Sequence, residues 1–365
     1  MASLCFFGAL CVMDSLRHVV LQKDEFSFKP FSALISGPRA YPPPLPNRTQ
    51  RVDSTIESKP MPHVTTTTPP TTPDVRSTST SASATTGSIS KAYPRQYHFI
   101  LNQPDVCRRL MPFLVLVVPV HPWNAQAREA IRMTWANETL VRGKAVTTIF
   151  LLGAPHSDKD PVQDEVVKES ARYGDVVQSD FVDSYFNLTI KTMVIMDWLA
   201  TYCPGASYAM KIDSDMFLNV ENLVEFLLSP ETPKENYAAG LLKWGSPVVR
   251  DQGSKWFVSE EDYPEPTYPT YLLGMGYVFS NDLPEKLVQV SKGIRLFNIE
   301  DAYVGLCLKH LGIAPRSPPN SAQFRMWASW PFKYCDYAKA ITTILSSPPE
   351  LLMVWKAFKY GGPPC

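Results

Sequence analysis

The run Phe113-Leu114-Val115-Leu116-Val117-Val118 is apolar at every position and rich in β-branched residues. A strand that faces water on one side alternates apolar with polar residues, so an unbroken run belongs to a strand covered on both faces. Such strands occur chiefly in parallel or mixed sheets with helices above and below, which narrows the fold class to α/β. The chain from about residue 105 onward keeps to that plan. Residues 146–152, 176–177, 208–212 and 237–242 read as further strands, and 125–135, 187–203 and 219–228 as helices. Another helix starts at Asp160-Pro161, an N-cap with proline at the first helical position, and ends at Gly174. Within 187–203, Ile195, Trp198, Leu199 and Tyr202 recur at helical spacing and read as core.

The N-terminal part is different. Of the 365 residues 34 are proline, unevenly placed, which separates a structured part from an extended one. Residues 14–104 form a low-complexity stem, with Pro42-Pro43-Pro44 and the threonine and proline run 65–73 inside it. Such a segment buries too little apolar surface to offset its ordering entropy, so a solvated stalk is expected, open to O-glycosylation. Ahead of it, residues 1–13 are apolar but end at Asp14. That is short of the about 20 apolar residues a bilayer span needs, and reads as a signal-peptide core, a shortened anchor or a plain N-terminal helix. The 35 basic and 35 acidic side chains balance, which argues against nucleic acid as a partner. The cysteines at 5, 11, 107, 203, 307, 335 and 365 contain no C-x-x-C pair. Structural zinc is therefore not expected, and the wide spacing fits an oxidising compartment.

The strand 208–212 stops on Lys211-Ile212-Asp213-Ser214-Asp215. Open α/β sheets bind ligands at the carboxyl ends of their strands, and two hard oxygen ligands there suit Mg²⁺ or Mn²⁺ carrying a diphosphate. The same spacing also occurs in helix-capping turns. Arg128 and Arg132 lie four apart on one helix and share a face. Paired guanidiniums suit a phosphate, and equally a solvated charged surface. Residues 244–271 form a long stretch with Trp256, Phe257, Tyr263, Tyr268 and Tyr271, either a sugar-stacking lining or a covering flap. Gly274 and Gly276 precede the next strand, where a backbone or ligand must approach closely. Glu300-Asp301 opens a helix, where one acid serves as a cap and either can serve as a general base.

In order and spacing, Arg128-to-Trp135, Lys211-to-Asp215, Gly274-to-Ser280 and Glu300-to-Gly305 resemble the β1,3-galactosyltransferase family of Golgi glycosyltransferases. Asp180-Phe181, Ser184-to-Thr192, Arg250-Asp251 and Ser254-Lys255-Trp256 add to the likeness, the last two favouring the galactosyl over the N-acetylglucosaminyl branch. The resemblance covers about residue 105 to the C-terminus. It implies a type II membrane protein whose lumenal GT-A domain, 105–365, has a Rossmann-like mixed sheet flanked by helices. Implied chemistry is inverting β1,3-transfer of galactose from UDP-galactose, with Mn²⁺, to terminal N-acetylglucosamine on a glycoprotein or glycolipid. Alternatives within the resemblance are N-acetylglucosaminyl or N-acetylgalactosaminyl transfer, or a catalytically silent sugar-binding or partner-binding module. Carried over residue by residue, Asp215 becomes a metal ligand with Asp213 beside it, on the metal or the ribose, and Asp301 the base with Glu300 positioning the acceptor. Arg128 and Arg132 border the nucleotide, with Lys211, Gly274 and Gly276 on the same pocket.

Two departures stand out. The family usually has a histidine nine residues after the position of Cys335, where this chain has Ile344, leaving the metal shell one ligand short. Leu272-Leu273 replaces a usual cysteine-serine pair, so Cys307 is expected to be unpaired. Cys107 with Cys203 and Cys335 with Cys365 are the expected disulfides. Asn47, Asn137 and Asn187 stand in N-x-Ser/Thr sequons, consistent with the secretory pathway.

Overall fold

The computed structural model describes residues 97–365 apart from 158–159 and 328–330. Segment 1–13, nearly all of the stem and Asn47 lie outside the described residues. The elements run β1 (Phe99–Leu101), α1 (Val106–Leu110), β2 (Leu114–Pro119), α2 (Ala125–Arg132), β3 (Leu140–Val141), β4 (Lys144–Ala154), α3 (Val162–Tyr173), β5 (Val176–Val182), α4 (Leu188–Tyr202) and β6 (Tyr208–Ile212). There follow β7 (Met216–Leu218), α5 (Val220–Leu228), β8 (Ala238–Lys243), β9 (Tyr271–Ser280), α6 (Leu283–Ser291), α7 (Glu300–His310), β10 (Phe324–Arg325), α8 (Tyr334–Ala338), β11 (Thr342–Ile344) and α9 (Pro348–Tyr360).

The main sheet has the order β1-β5-β4-β2-β6-β9-β8. Strands β5, β4, β2 and β6 are parallel, while β9, β8 and β1 are antiparallel to their neighbours. From β2 the chain steps to β4 and β5 on one side and returns to β6 on the other, so the strand order reverses at β2. A crevice at the carboxyl ends of the strands is the geometric consequence. The sheet is covered on both faces, as the unbroken apolar run requires. Val115, Val117, Ile149 and Leu151 point to α4, α6 and α7 on one face, and Leu114, Leu116, Val118 and Phe150 to α2, Trp135 and β7 on the other. Helix α4 is buried nearly all round, from Thr189 to Leu199. A second sheet, β10-β11-β7, sits beside the first.

Several boundaries differ from the sequence reading. β1 pairs with β5 ahead of the boundary expected at residue 105. Gly274 and Gly276 lie inside β9 and not before it, because the strand continues back to Tyr271 to pair with β8. The disulfides are Cys107–Cys203 and Cys335–Cys365, and Cys307 is free and buried. Among the described residues no helix is long and apolar enough to cross a membrane.

Helix α7 approaches β9 closely at Gly305. A Cβ there would lie 2.4 Å from the Cβ of Tyr271 and 3.0 Å from the carbonyl oxygen of Thr270. Gly305→Ala therefore forces the helix off the strand, and overpacking of this kind costs about 1–3 kcal/mol. Denaturant unfolding of the variant is expected to show that loss; parental stability would mean that the helix seats without this close approach.

Candidate active site

The reversal at β2 opens a cleft of about 720 Å³. Its floor is set by strand ends: Pro119 to His121 after β2, Asp183 after β5 and Asp213 to Asp215 after β6. Gly274 and Met275 of β9 and Glu300 and Asp301 at the start of α7 form a wall. Tyr185, Trp256 and Tyr271 complete the lining.

Lys211 is buried between these parts. Its ammonium donates to Asp213 Oδ1 at 2.7 Å and to the carbonyl of Gly274, with Glu300 Oε2 at 3.4 Å. Burial pushes the ammonium pKa down, but the charges of Asp213 and Glu300 outweigh it and hold Lys211 protonated. Glu300 is itself buried. Its Oε1 accepts from the Tyr277 hydroxyl at 2.7 Å, so both carboxylate oxygens face protein partners. A Cβ on Gly274 would lie 2.9 Å from Glu300 Oε2, which is why this wall position needs glycine. Asp301 faces the cleft instead. Its Oδ2 accepts from the Gly274 amide at 3.1 Å and its Oδ1 from the Ala302 amide at 2.8 Å. Burial is the largest influence on its carboxyl and raises its pKa despite these bonds and the charge of Lys211.

Asp213 and Asp215 both line the cleft at the carboxyl end of β6. Asp215 is pushed up to about 6, first by the protein packed around it and then by the charge of Asp213. Two carboxylates that repel each other in one place are a setting that a cation would relieve. Among the described residues no group of three or more His, Cys, Asp or Glu could hold a metal. The donor set therefore fits a divalent ion that takes its other ligands from substrate phosphate and water, and does not fit an all-protein cage. Ile344 lies where the missing histidine is expected: β11 pairs Ile344 with Met216, and the Leu345 amide donates to the Asp215 carbonyl at 2.8 Å. Its side chain packs against the apolar core and offers no lone pair.

Arg128 and Arg132 do share a face, but neither lines the cleft. Both turn toward α3 and the start of β5. Arg128 makes a bidentate pair with Glu169 at 2.7 and 2.6 Å and donates to the carbonyls of His121 and Pro122. Arg132 is bidentate to Asp175 at 2.8 Å and also meets Glu169. Arg128 thereby braces the loop after β2, and Arg132 ties α2 to α3 and the start of β5. Gly276 is likewise set back, opposite Ile212 in the β6–β9 pair. Trp135, at the end of the same block, donates its indole N–H to the Met216 carbonyl at 3.0 Å and so fixes the chain just after Asp215.

The cleft contains groups that sequence reading did not single out. Lys191 is buried, donates to Asp183 Oδ2 at 2.7 Å and to the Val120 carbonyl at 2.9 Å, and Asp183 Oδ2 also accepts from the Gly153 amide. His121 Nε2 stands 3.6 Å from Asp183 Oδ1, and burial lowers its pKa. The one sequence signal for Asp183 and His121 is that each follows a parallel strand. Of the aromatic residues in 244–271, Trp256 and Tyr271 line the cleft. Tyr263 and Tyr268 instead pack on Phe297 in the core. Of the sequons, Asn137 is exposed, whereas the Asn187 amide donates to the Val182 carbonyl and Thr189 is buried.

A family model described as galactosyltransferase matches residues 126–319. Over 266 residues the chain is 44% identical to beta-1,3-galactosyltransferase 2 of Homo sapiens, a match covering 72% of this chain and 63% of that protein. Over 264 residues it is 40% identical to beta-1,3-galactosyltransferase 1 of Mus musculus, covering 72% of this chain and 78% of that protein. The chain thus spans less than two thirds of the first of these relatives. Among solved structures, the apo WbbM bifunctional glycosyltransferase aligns over 65% of this chain and 46% of its own at 12% identity, with a TM-score of 0.36 that carries no weight for fold or function.

Glu169 holds the two arginines, and its pH dependence has a definite sign. Burial raises its pKa, but the bonds and charges of Arg128 and Arg132 outweigh this and hold it below the ordinary value of 4.5. Its contribution is therefore complete above that value and is lost as pH falls through the lowered one. Glu169→Gln leaves buried Arg128 without its charge partner, which costs on the order of 3–5 kcal/mol at neutral pH. Unfolding curves of parent and variant are expected to converge only as the pH falls from 4.5 through the lowered Glu169 value; a gap that persists in stronger acid would assign the loss to packing.

Proposed function

Because the chain belongs to the galactosyltransferase family, we propose that it is an inverting β1,3-galactosyltransferase that moves galactose from UDP-galactose to a terminal N-acetylglucosamine or related acceptor on a glycoprotein or glycolipid. The observation that carries the reading is that Asp301 faces the same cleft as Asp213 and Asp215. A base and a diphosphate site are thereby set on two sides of one space. In this reading a carboxylate oxygen of Asp301 takes the proton of the acceptor 3-hydroxyl, whose oxygen attacks the anomeric carbon from the face opposite UDP. The bond from that carbon to the β-phosphate oxygen breaks and UDP departs, which inverts the configuration. Asp301 is suited to the task because a raised pKa brings a carboxylate closer to the operating pH. Lys211 and Glu300 position it: the ammonium ties Asp213 to Glu300, and Glu300 is the neighbour of Asp301 on α7.

Asp213 and Asp215 would hold Mn²⁺, which would neutralise charge developing on the leaving diphosphate. The reading includes a lumenal catalytic domain in the Golgi, anchored through the N-terminal segment. Supporting it are the two disulfides and the exposed sequon at Asn137.

Transfer from UDP-galactose to a β-N-acetylglucosaminide by the purified full chain tests the activity, and no transfer overturns it. Asp301→Asn is expected to keep UDP binding and lose about 10²–10⁴-fold in turnover, while Asp215→Asn loses metal-dependent UDP binding. Most of the activity surviving in Asp301→Asn would remove Asp301 from the role of base. Ile344→His adds a nitrogen donor one register step from Asp215, and Mn²⁺ titration followed by electron paramagnetic resonance should show tighter binding than in the parent.

A further inference from the structure

The exposed aromatic residues of the cleft have no role in the chemistry so far. Tyr185 is 41% and Trp256 50% exposed, and both line the space that Asp301 faces. They come from separate segments, the single turn after β5 and the long stretch between β8 and β9. Both rings are held at the cleft by the backbone of their own segments and share one cationic neighbour. The Lys255 ammonium lies over both rings, at 5.5 Å from Tyr185 and 4.7 Å from Trp256.

Trp256 is not exposed because its loop is loose. Arg250 donates to the carbonyls of Val258, Tyr263 and Glu265 at 2.8, 2.7 and 3.0 Å and so pins the loop from within. Val249 bridges Phe257, and Tyr263 and Tyr268 are packed on Phe297. A large apolar ring held half in solvent on a braced loop, beside a pocket, marks a binding surface. Which part of the substrate it meets follows from its neighbours. Asp213 and Asp215 end β6 on the floor of the cleft, whereas Tyr185 and Trp256 line it together with Asp301 and with Tyr271, which packs against Gly305 of the helix that carries Asp301. A ring at this position meets the molecule whose hydroxyl Asp301 deprotonates.

We propose that Tyr185 and Trp256 form a platform for the acceptor, taking the apolar C–H face of a β-linked N-acetylhexosaminide ring and turning its 3-hydroxyl toward Asp301. The assignment rests on the glycosyl-transfer reading, and the platform is composite: each half belongs to a different segment, and the Lys255 ammonium lies over both rings. Pyranose rings bind such surfaces through C–H groups against the π face, with little dependence on the rest of the glycan.

The test uses the full chain, UDP-galactose and a simple β-N-acetylglucosaminide. Acceptor binding is also read without turnover, by saturation-transfer NMR of the same glycoside. Trp256→Ala is expected to raise the acceptor KM about tenfold or more and to abolish the saturation-transfer signal of the glycoside, with UDP affinity kept within about twofold. Trp256→Phe should recover most of the loss, since the ring face is kept. Tyr185→Phe, which removes only the hydroxyl, should raise the acceptor KM by a smaller factor. An unchanged acceptor KM in Trp256→Ala, or an equal rise for donor and acceptor, overturns the platform. If the parent transfers no sugar, the activity reading falls and the NMR arm decides this one alone. A glycoside signal present in the parent and abolished in Trp256→Ala upholds the platform; a signal equal in both proteins, or absent from the parent, overturns it.

Discussion

One buried ammonium makes the rest of this site possible. Asp213, Asp215 and Asp301 line one cleft and Glu300 is buried in its wall, and carboxylates gathered in a partly desolvated space drive one another toward the protonated form. Lys211 offsets that repulsion from inside the sheet. It reaches Asp213 on its own strand, the carbonyl of Gly274 on β9 and Glu300 on α7, so a single charge holds three elements in register. The cost of burying it is covered by those acceptors, and removing any one would leave a charge without its partner. Gly274 and Gly305 serve the same end sterically, one admitting Glu300 to the wall and the other admitting α7 to β9. The carboxylates are where they are because a lysine and two missing side chains let the helix close on the strand.

What the sequence discloses is set by how local each signal is. The both-face strand at 113–118, the helix terminated by Gly174 and the carboxylates ending β6 depend on periodicity, capping and position along one segment, and the structure has them in place. The arginines of α2 show the limit. Their spacing correctly gives a shared face, yet whether that face meets phosphate or protein depends on Glu169 and Asp175, some forty residues on, which take both guanidiniums. The aromatic stretch 244–271 divides for the same reason. Tyr263 and Tyr268 find Phe297, a partner from a distant loop, and Trp256 does not. Asp183 and His121 carry one weak sequence signal, that each follows a parallel strand, and the pairing of Lys191 with Asp183 is legible only in the fold.

The cleft has two halves of different construction. On one side, His121, Asp183, Asp213 and Asp215 follow parallel strands whose spacing is fixed by the sheet's hydrogen bonds. Toward the other side, Tyr185 and Trp256 stand on a single turn and a loop whose shape depends on side chains, Arg250 above all. Altering the first half would disturb the sheet, whereas altering the second requires only a different loop. Under the transfer proposed above, a site so divided would keep its donor side while its acceptor side varies.

Ile344 does not line the cleft, but its strand runs beside the segment that follows Asp215. β11 sets residue 344 opposite Met216, and the next amide holds the Asp215 carbonyl, so the backbone that would present a ligand to the metal is intact. The side chain at 344 is an alkyl group that packs on the core. It would give a cation proposed at Asp213 and Asp215 no further donor. A cation at such a site leans more on the diphosphate for its ligands, so that metal and nucleotide should bind as a pair more than in sequence. In the proposed reading the two carboxylates would be held independently of position 344, Asp213 by Lys211 and Asp215 by its place at the end of the strand.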